Sequence, residues 1–335
     1  MIDSVITQQK VSHIKWRMTH ACNYRCSYCI RKYGIIKDDQ SMNMLQKDID
    51  MCNKAIPHIN RLCDELPGAV KLCLIGGEVS LMDLASIINQ LTSPKLKFIG
   101  ITTNLSQPTD YYVKLVELCR TKGITFSIAA SYHEEFTDMN EFLHKVADIS
   151  STGCLIKAEM VSMPTNQEEV VKFRQQCEQL GVTYVIEKDV ADHNSIAKSI
   201  TNKVIGGTNN KNIRYKVTRD DGSVSLYASR NEFITGKDNT SNSKLAIATT
   251  GLYCTKDCDY VDIEGYRIIG CDPRRPASGC RSAMSLAYYK LLKEPQLCVN
   301  SKGCSLCGHM SVARDKQVLI DLLEAKKEAY DDSKG

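Results

Sequence analysis

Between residues 12 and about 190 the chain alternates short apolar segments with segments of helical periodicity. No other feature limits its fold as much. Six segments read as strands: 14–18, 70–75, 98–102, 125–130, 155–161 and 183–187. They are apolar and often β-branched, as buried parallel strands tend to be. Helical stripes lie between them: Leu45, Ile49, Cys52 and Ile56; Leu81, Leu84, Ile88 and Leu91; Tyr112, Leu115 and Cys119; Met139, Leu143, Val146 and Ile149; Val170, Phe173, Cys177 and Leu180. Asn166 with Glu169 predicts a capping box for the last of these, and Gly123 and Gly181 predict helix stops. Each stripe reads as core. Six strand–helix steps predict an α/β fold with a parallel sheet covered by helices. Periodicity leaves open whether that sheet is open or curved into a barrel.

Past residue 200 the pattern changes. Segments 213–218 and 223–227 alternate around Asp220-Asp221-Gly222, which predicts a hairpin. The residues from 235 to 244 are polar and read as a linker or exposed loop. A cysteine-rich stretch covers about 248–312, and a final amphipathic helix is predicted over 315–330 with Val318, Leu319, Leu322 and Ala329 on its apolar face. The organisation expected is thus a core over 12–200, a hairpin and linker over 205–247, a small cysteine-rich domain over 248–312 and the helix. Only about eleven residues precede the first expected strand, so no N-terminal recognition domain is expected. A net charge of +4 over 335 residues does not argue for nucleic acid or an anionic membrane as an obligatory partner. No membrane span and no signal-peptide core is visible, so the expected location is cytoplasmic.

Sixteen cysteines in a chain of this reading argue for metal or redox chemistry rather than disulfides. Cys52, Cys63, Cys73, Cys119, Cys154 and Cys177 are scattered among apolar neighbours and read as small buried hydrophobes. Three others form the run Cys22-Asn-Tyr-Arg-Cys26-Ser-Tyr28-Cys29, directly after the first expected strand. Three thiolates can hold three irons of a cubane cluster and leave the fourth iron open. A zinc site is the alternative, although zinc usually pairs one CxxC with a second or with a His pair. His20 reads as a loop residue. A second segment, Gly76-Gly77-Glu78, ends the second expected strand.

Together these residues resemble the radical S-adenosylmethionine (SAM) enzymes. The resemblance implies a partial (β/α)6, TIM-like barrel and a four-iron, four-sulfur (4Fe-4S) cluster on Cys22, Cys26 and Cys29. SAM would be bound at the open iron and reductively cleaved to a 5′-deoxyadenosyl radical that abstracts hydrogen from a substrate. It further implies that Gly76, Gly77 and Glu78 contact the methionyl amino group, that Tyr28 lies in the cofactor site, and that Asn104 and Ser131, at later strand ends, approach SAM. His133 reads either as a loop histidine satisfied by Glu134 or Glu135 or as a SAM or substrate contact. Lys157, Glu159 and Glu187 read as cavity-lining groups or as an interior ion pair.

The late cysteines, with a strand–turn–strand around Gly265, resemble a SPASM/twitch extension that carries auxiliary iron–sulfur clusters. The ligands this implies are Cys254, Cys271, Cys304 and Cys307, with Cys298 as a substitute or supporting thiol and Cys258 and Cys280 as further candidates; a zinc ribbon uses the same donors. The spacing from Gly265 to Cys271 is one residue longer than the usual pattern, which favours one auxiliary cluster. Relatives with such extensions often act on peptides or proteins. The sequence also resembles a subgroup found in phage and mobile-element gene sets, where a nucleotide or nucleic-acid base is the alternative substrate. Arg274, Arg275 and Arg281 read as phosphate contacts or as a solvated face. A flavodoxin- or ferredoxin-like electron donor is implied. A non-enzymatic iron–sulfur or zinc sensor is the reading of another class.

Overall fold

The computed structural model describes residues 2–7, 11–29, 39–188, 200–202, 215–227, 251–270, 282–298 and 310–333. The chain opens with strands β1 (Ile2–Thr7) and β2 (Ser12–Thr19) and helix α1 (Asp39–Glu65). Strand–helix pairs follow: β3 (Val70–Gly76) with α2 (Leu84–Gln90), β4 (Leu96–Thr103) with α3 (Thr109–Thr121), β5 (Thr125–Tyr132) with α4 (Met139–Ser151), and β6 (Leu155–Ser162) with α5 (Gln167–Gln179). Then come β7 (Tyr184–Lys188), β8 (Ile200–Asn202), β9 (Tyr215–Arg219), β10 (Val224–Tyr227) and β11 (Tyr253–Cys254). The last elements are β12 (Tyr260–Glu264), β13 (Arg267–Gly270), β14 (Ser282–Ser285), β15 (Gln296–Leu297), β16 (Val312–Ala313) and α6 (Lys316–Asp332).

Ten strands form the main sheet in the order β14-β13-β12-β2-β3-β4-β5-β6-β7-β8. From β12 to β7 every neighbour is parallel. The run from β2 to β7 never reverses direction. Right-handed crossovers that all step the same way put their helices on one face, whereas a doubly wound sheet needs a reversal point. Burial agrees: Ile14, Trp16, Leu72, Leu74, Ile99, Ile101, Ile128 and Ala158 are buried in one cluster with Cys52, Ile59, Ile88, Leu115, Val146 and Phe173 from the helices. The alternate strand residues, among them Lys15, Arg17, Lys71, Ser127, Ser131, Lys157 and Glu159, are only half-buried. The sheet therefore has one dry face and one polar face. Among the described residues it does not close on itself.

The first expected strand is not the first strand of the chain. β1 belongs to a second, six-stranded sheet of order β10-β9-β1-β16-β11-β15. The expected hairpin forms as β9 and β10, with its register centred on Asp220–Gly222, and it lies at the edge of this second sheet beside β1. Val5, Tyr215, Val217, Leu252, Met310 and Val312 make a small separate core. Thr7 Oγ1 and Ser311 Oγ share a hydrogen bond at 3.1 Å, so the second sheet joins residues 304 positions apart.

Gly123 and Gly181 do end their helices, at φ +65° and +64°. The capping box at Asn166 does not form. Its Oδ1 accepts from the Met163 N–H and its Nδ2 donates to the Val161 carbonyl and to Glu134. The Asn166 side chain thus closes the preceding turn. α6 is capped by Asp315, whose side chain accepts from the Gln317 N–H. Its buried face is Leu319, Leu323, Lys326 and Tyr330; Val318 and Ala329 are exposed. The displaced stripe has a physical cause, because a lysine is one of its buried members.

Candidate functional site

The carboxyl ends of β2, β3, β4 and β5 share one edge of the main sheet, where parallel folds bind their ligands. The loop after β2 carries Cys22, Cys26 and Cys29. It is fastened at its base by the turn after β3: Gly77 N–H donates to the Thr19 carbonyl at 2.9 Å and Glu78 N–H to the Ala21 carbonyl at 2.8 Å. A Cβ on Gly76 would lie 2.5 Å from Thr19 O, and one on Gly77 2.2 Å from Ala21 O. The two glycines are required for this close backbone approach.

Glu78 is buried and its carboxylate ties the ends of β3 and β4 together. Oε1 accepts from Ser80 N–H at 2.8 Å and from Thr103 Oγ1 at 2.7 Å, and Oε2 accepts from Asn104 N–H at 2.6 Å. Burial raises its pKa while these donors oppose the rise. Asn104 in turn donates from Nδ2 to Asn23 Oδ1, on the cysteine loop, at 2.9 Å.

A second support comes from α1. Asp48 is buried and accepts from Thr19 Oγ1 at 2.7 Å and from His20 N–H at 3.2 Å. Asp48 was legible in principle: it sits on the Leu45–Cys52 stripe, and a carboxylate there needs a partner. Across the sheet, Glu264 of β12 receives Arg17 at 2.5 Å and meets His20 Nε2 at 3.1 Å. Burial pushes the Glu264 carboxyl up, but the Arg17 guanidinium beside it holds it below the usual carboxylate range.

The third support is the loop after β5. Glu135 accepts from Ser27 N–H at 3.0 Å and from Ser27 Oγ. Tyr24 stacks on Phe136 at 4.9 Å and its hydroxyl meets Thr137 Oγ1 at 2.9 Å. His133 Nδ1 lies 3.2 Å from Cys26 Sγ and 2.8 Å from the Tyr28 hydroxyl. Neither adjacent carboxylate takes up His133, since Glu134 meets Asn166 and Glu135 meets Ser27. Burial lowers the His133 pKa to about 4. Ser131 stands on the polar face in register with Glu159, which is paired with Lys157.

Burial raises the Cys22 pKa, and burial followed by the neighbouring Cys22 pushes Cys26 up to about 12. Burial first, and the charge of neighbouring acidic groups second, oppose ionisation of Cys22 and Cys26, so a cationic group is what would stabilise them as thiolates. Among the described residues no three Cys, His, Asp or Glu side chains converge as around a single ion. A cubane binds each thiolate at a different corner, so its ligands need not share one point. The donor set therefore fits such a cluster.

In the second sheet, Cys254 and Cys298 lie on adjacent strands or their ends, with Cys298 N–H donating to the Leu252 carbonyl at 2.8 Å. Cys254 Sγ is 3.4 Å from Met310 Sδ and accepts from Lys256 N–H at 3.4 Å. Burial pushes Cys254 up to about 12 with a further push from Cys298, and Cys258 is raised by burial, Asp259 and Cys254. Cys258 thus joins Cys254 and Cys298 in one neighbourhood. Cys271, Cys280, Cys304 and Cys307 lie outside the described residues, as do Arg274, Arg275 and Arg281.

No protein-family model matches the chain. It is 30% identical over 110 residues to the S-adenosylmethionine-dependent nucleotide dehydratase of Psychrobacter lutiphocae, a stretch that is 31% of this chain and 36% of that protein. The chain thus matches about a third of the length of that curated relative. Among solved structures, anSMEcpe with bound AdoMet overlaps 54% of this chain and 51% of its own at TM-score 0.38 and 15% identity. Streptococcus suis SuiB overlaps 58% and 43% at TM-score 0.39 and 13% identity. At these scores the overlaps are partial. The chain therefore carries a three-cysteine loop bonded to a Gly-Gly-Glu turn, together with a partial match to a SAM-dependent enzyme.

Proposed function

We propose that the chain binds a 4Fe-4S cluster on Cys22, Cys26 and Cys29 and reductively cleaves SAM to abstract hydrogen from a substrate. One observation carries this reading: the three thiols stand on a loop that Gly77, Glu78 and Asn104 bond to the ends of the next two strands. Cys22, Cys26 and Cys29 would hold the cluster, which when bound would supply one electron to SAM at its open iron. The protein's own part is positional. Gly76 and Gly77 bring the β3 turn against the loop, and Glu78 fixes the Asn104 backbone. The backbone groups of this turn would hold the methionyl end of SAM, Asn104 and Ser131 would contact SAM from the next strand ends, and Tyr28 would lie beside the cluster. The one-way winding of β2 to β7 supports a partial (β/α)6 barrel, whose polar face receives the substrate. Cys254, Cys258 and Cys298, with partners from Cys271, Cys304 and Cys307, hold an auxiliary cluster in the C-terminal domain. A flavodoxin- or ferredoxin-like protein delivers the electron. No described helix is long and apolar enough to cross a membrane.

The late cysteines favour a peptide or protein substrate. A nucleotide is the second reading. The curated relative named above is a nucleotide dehydratase, and Lys15 and Lys71 stand half-buried on the polar face of the adjacent strands β2 and β3, which suits an anionic ligand. Anaerobically reconstituted protein given SAM and dithionite should release 5′-deoxyadenosine, and Cys26→Ala should release none; an active Cys26→Ala protein overturns the proposal. Faster release with nucleoside triphosphates than with peptides would select the nucleotide reading.

A further inference from the structure

We infer that His133 is a positioning residue for the cluster loop, donating from Nδ1–H, together with the Tyr28 hydroxyl, toward the Cys26 sulfur and thereby setting the reduction potential of the cluster there. This rests on the cluster assignment proposed above.

Three atoms define the contact: Cys26 Sγ at 3.2 Å and the Tyr28 oxygen at 2.8 Å from the same His133 nitrogen. The direction of the hydrogen bonds follows from the sulfur. A metal-bound thiolate carries no proton and can only accept. If Nδ1 were the acceptor, the Tyr28 hydroxyl would point its proton at the ring, and neither group would serve the sulfur. With the proton on Nδ1, the ring donates to the sulfur and to the Tyr28 oxygen, and the Tyr28 hydroxyl donates to the sulfur. All three atoms are then satisfied.

The ring is held in this orientation. It stacks on Tyr28 at 6.0 Å and 19° and meets Tyr24 edge-on at 5.7 Å and 86°. The adjacent Glu134 and Glu135 are engaged by Asn166 and Ser27. Hydrogen bonds to cluster sulfurs stabilise the more negative, reduced state and so raise its potential. Cys22 receives a weaker counterpart, the Tyr24 N–H at 3.4 Å, so the Cys26 corner is the more strongly tuned.

The test is an EPR-monitored redox titration of the reconstituted protein beside iron quantitation, read as the difference from a Cys22/Cys26/Cys29 triple-alanine variant. His133→Leu and Tyr28→Phe should keep their iron and shift the midpoint to more negative potential. His133→Asn, whose amide reaches the Nδ1 position, should restore it toward wild type. Unchanged midpoints in both His133→Leu and Tyr28→Phe, with full iron, overturn the inference. Should His133→Leu lose its cluster, wild-type protein grown with 15N-histidine decides: a label-dependent nitrogen coupling to the reduced loop cluster supports the inference, and no coupling overturns it. Equal iron in wild type and triple-alanine protein would instead overturn the cluster assignment itself.

Discussion

A methyl group on Gly77 would meet the Ala21 carbonyl oxygen at 2.2 Å, and that oxygen is backbone, not a side chain able to swing away. Gly77→Ala should therefore cost about 3 kcal/mol and loosen the cysteine loop; urea unfolding beside iron retention measures both effects. Glu78→Gln tests the carboxylate. The amide can still accept from Ser80 and Thr103, but its nitrogen then confronts the Asn104 N–H, donor against donor. Leaving that group unsatisfied should cost about 1–3 kcal/mol despite the matched shape, read as a lower urea midpoint at unchanged slope. The Gly-Gly-Glu run was visible in the sequence as a motif near SAM. What it touches was not visible, because the contact to Thr19 and Ala21 depends on the register between β2 and β3. His133 was flagged in the sequence, but its partner Cys26, 107 positions away, is fixed only by the fold.

At the scale of the element, α6 is held by a buried ion pair. Lys326 Nζ donates to Asp259 Oδ2 at 2.6 Å, with side-chain exposures of 3% and 0%. Removing one partner strands a buried charge, so Lys326→Ala should destabilise by about 3–5 kcal/mol. The double change Lys326→Met with Asp259→Leu should recover most of that loss, because burying a well-packed apolar pair avoids desolvating two charges. Chemical denaturation of the two variants checks the difference; equal losses would show that the pair itself is not what holds the helix. The helix was legible from its period, but its cap and its buried face were not, since an apolar count skips a lysine. β1 was missed for another reason. Its six residues carry little pattern, and its partners β9 and β16 come from far along the chain. The six strands β2 to β7, by contrast, were legible because each is an apolar run followed by its own helix or turn, and local signals suffice for that.

Over the whole molecule, one-way winding leaves the main sheet with a polar face and brings four strand ends to the edge where the cysteine loop stands. The second sheet gathers both chain ends around Cys254 and Cys298. The central claim is that the loop carries a cluster with an open iron that SAM binds. EPR spectra of the dithionite-reduced protein, recorded before and after SAM and beside the triple-alanine variant with iron counted in both, test it most directly. The account predicts about four fewer irons in the variant and a spectrum that SAM changes in the wild type alone. Equal iron in both proteins, or a loop-cluster spectrum that SAM leaves untouched, would contradict it.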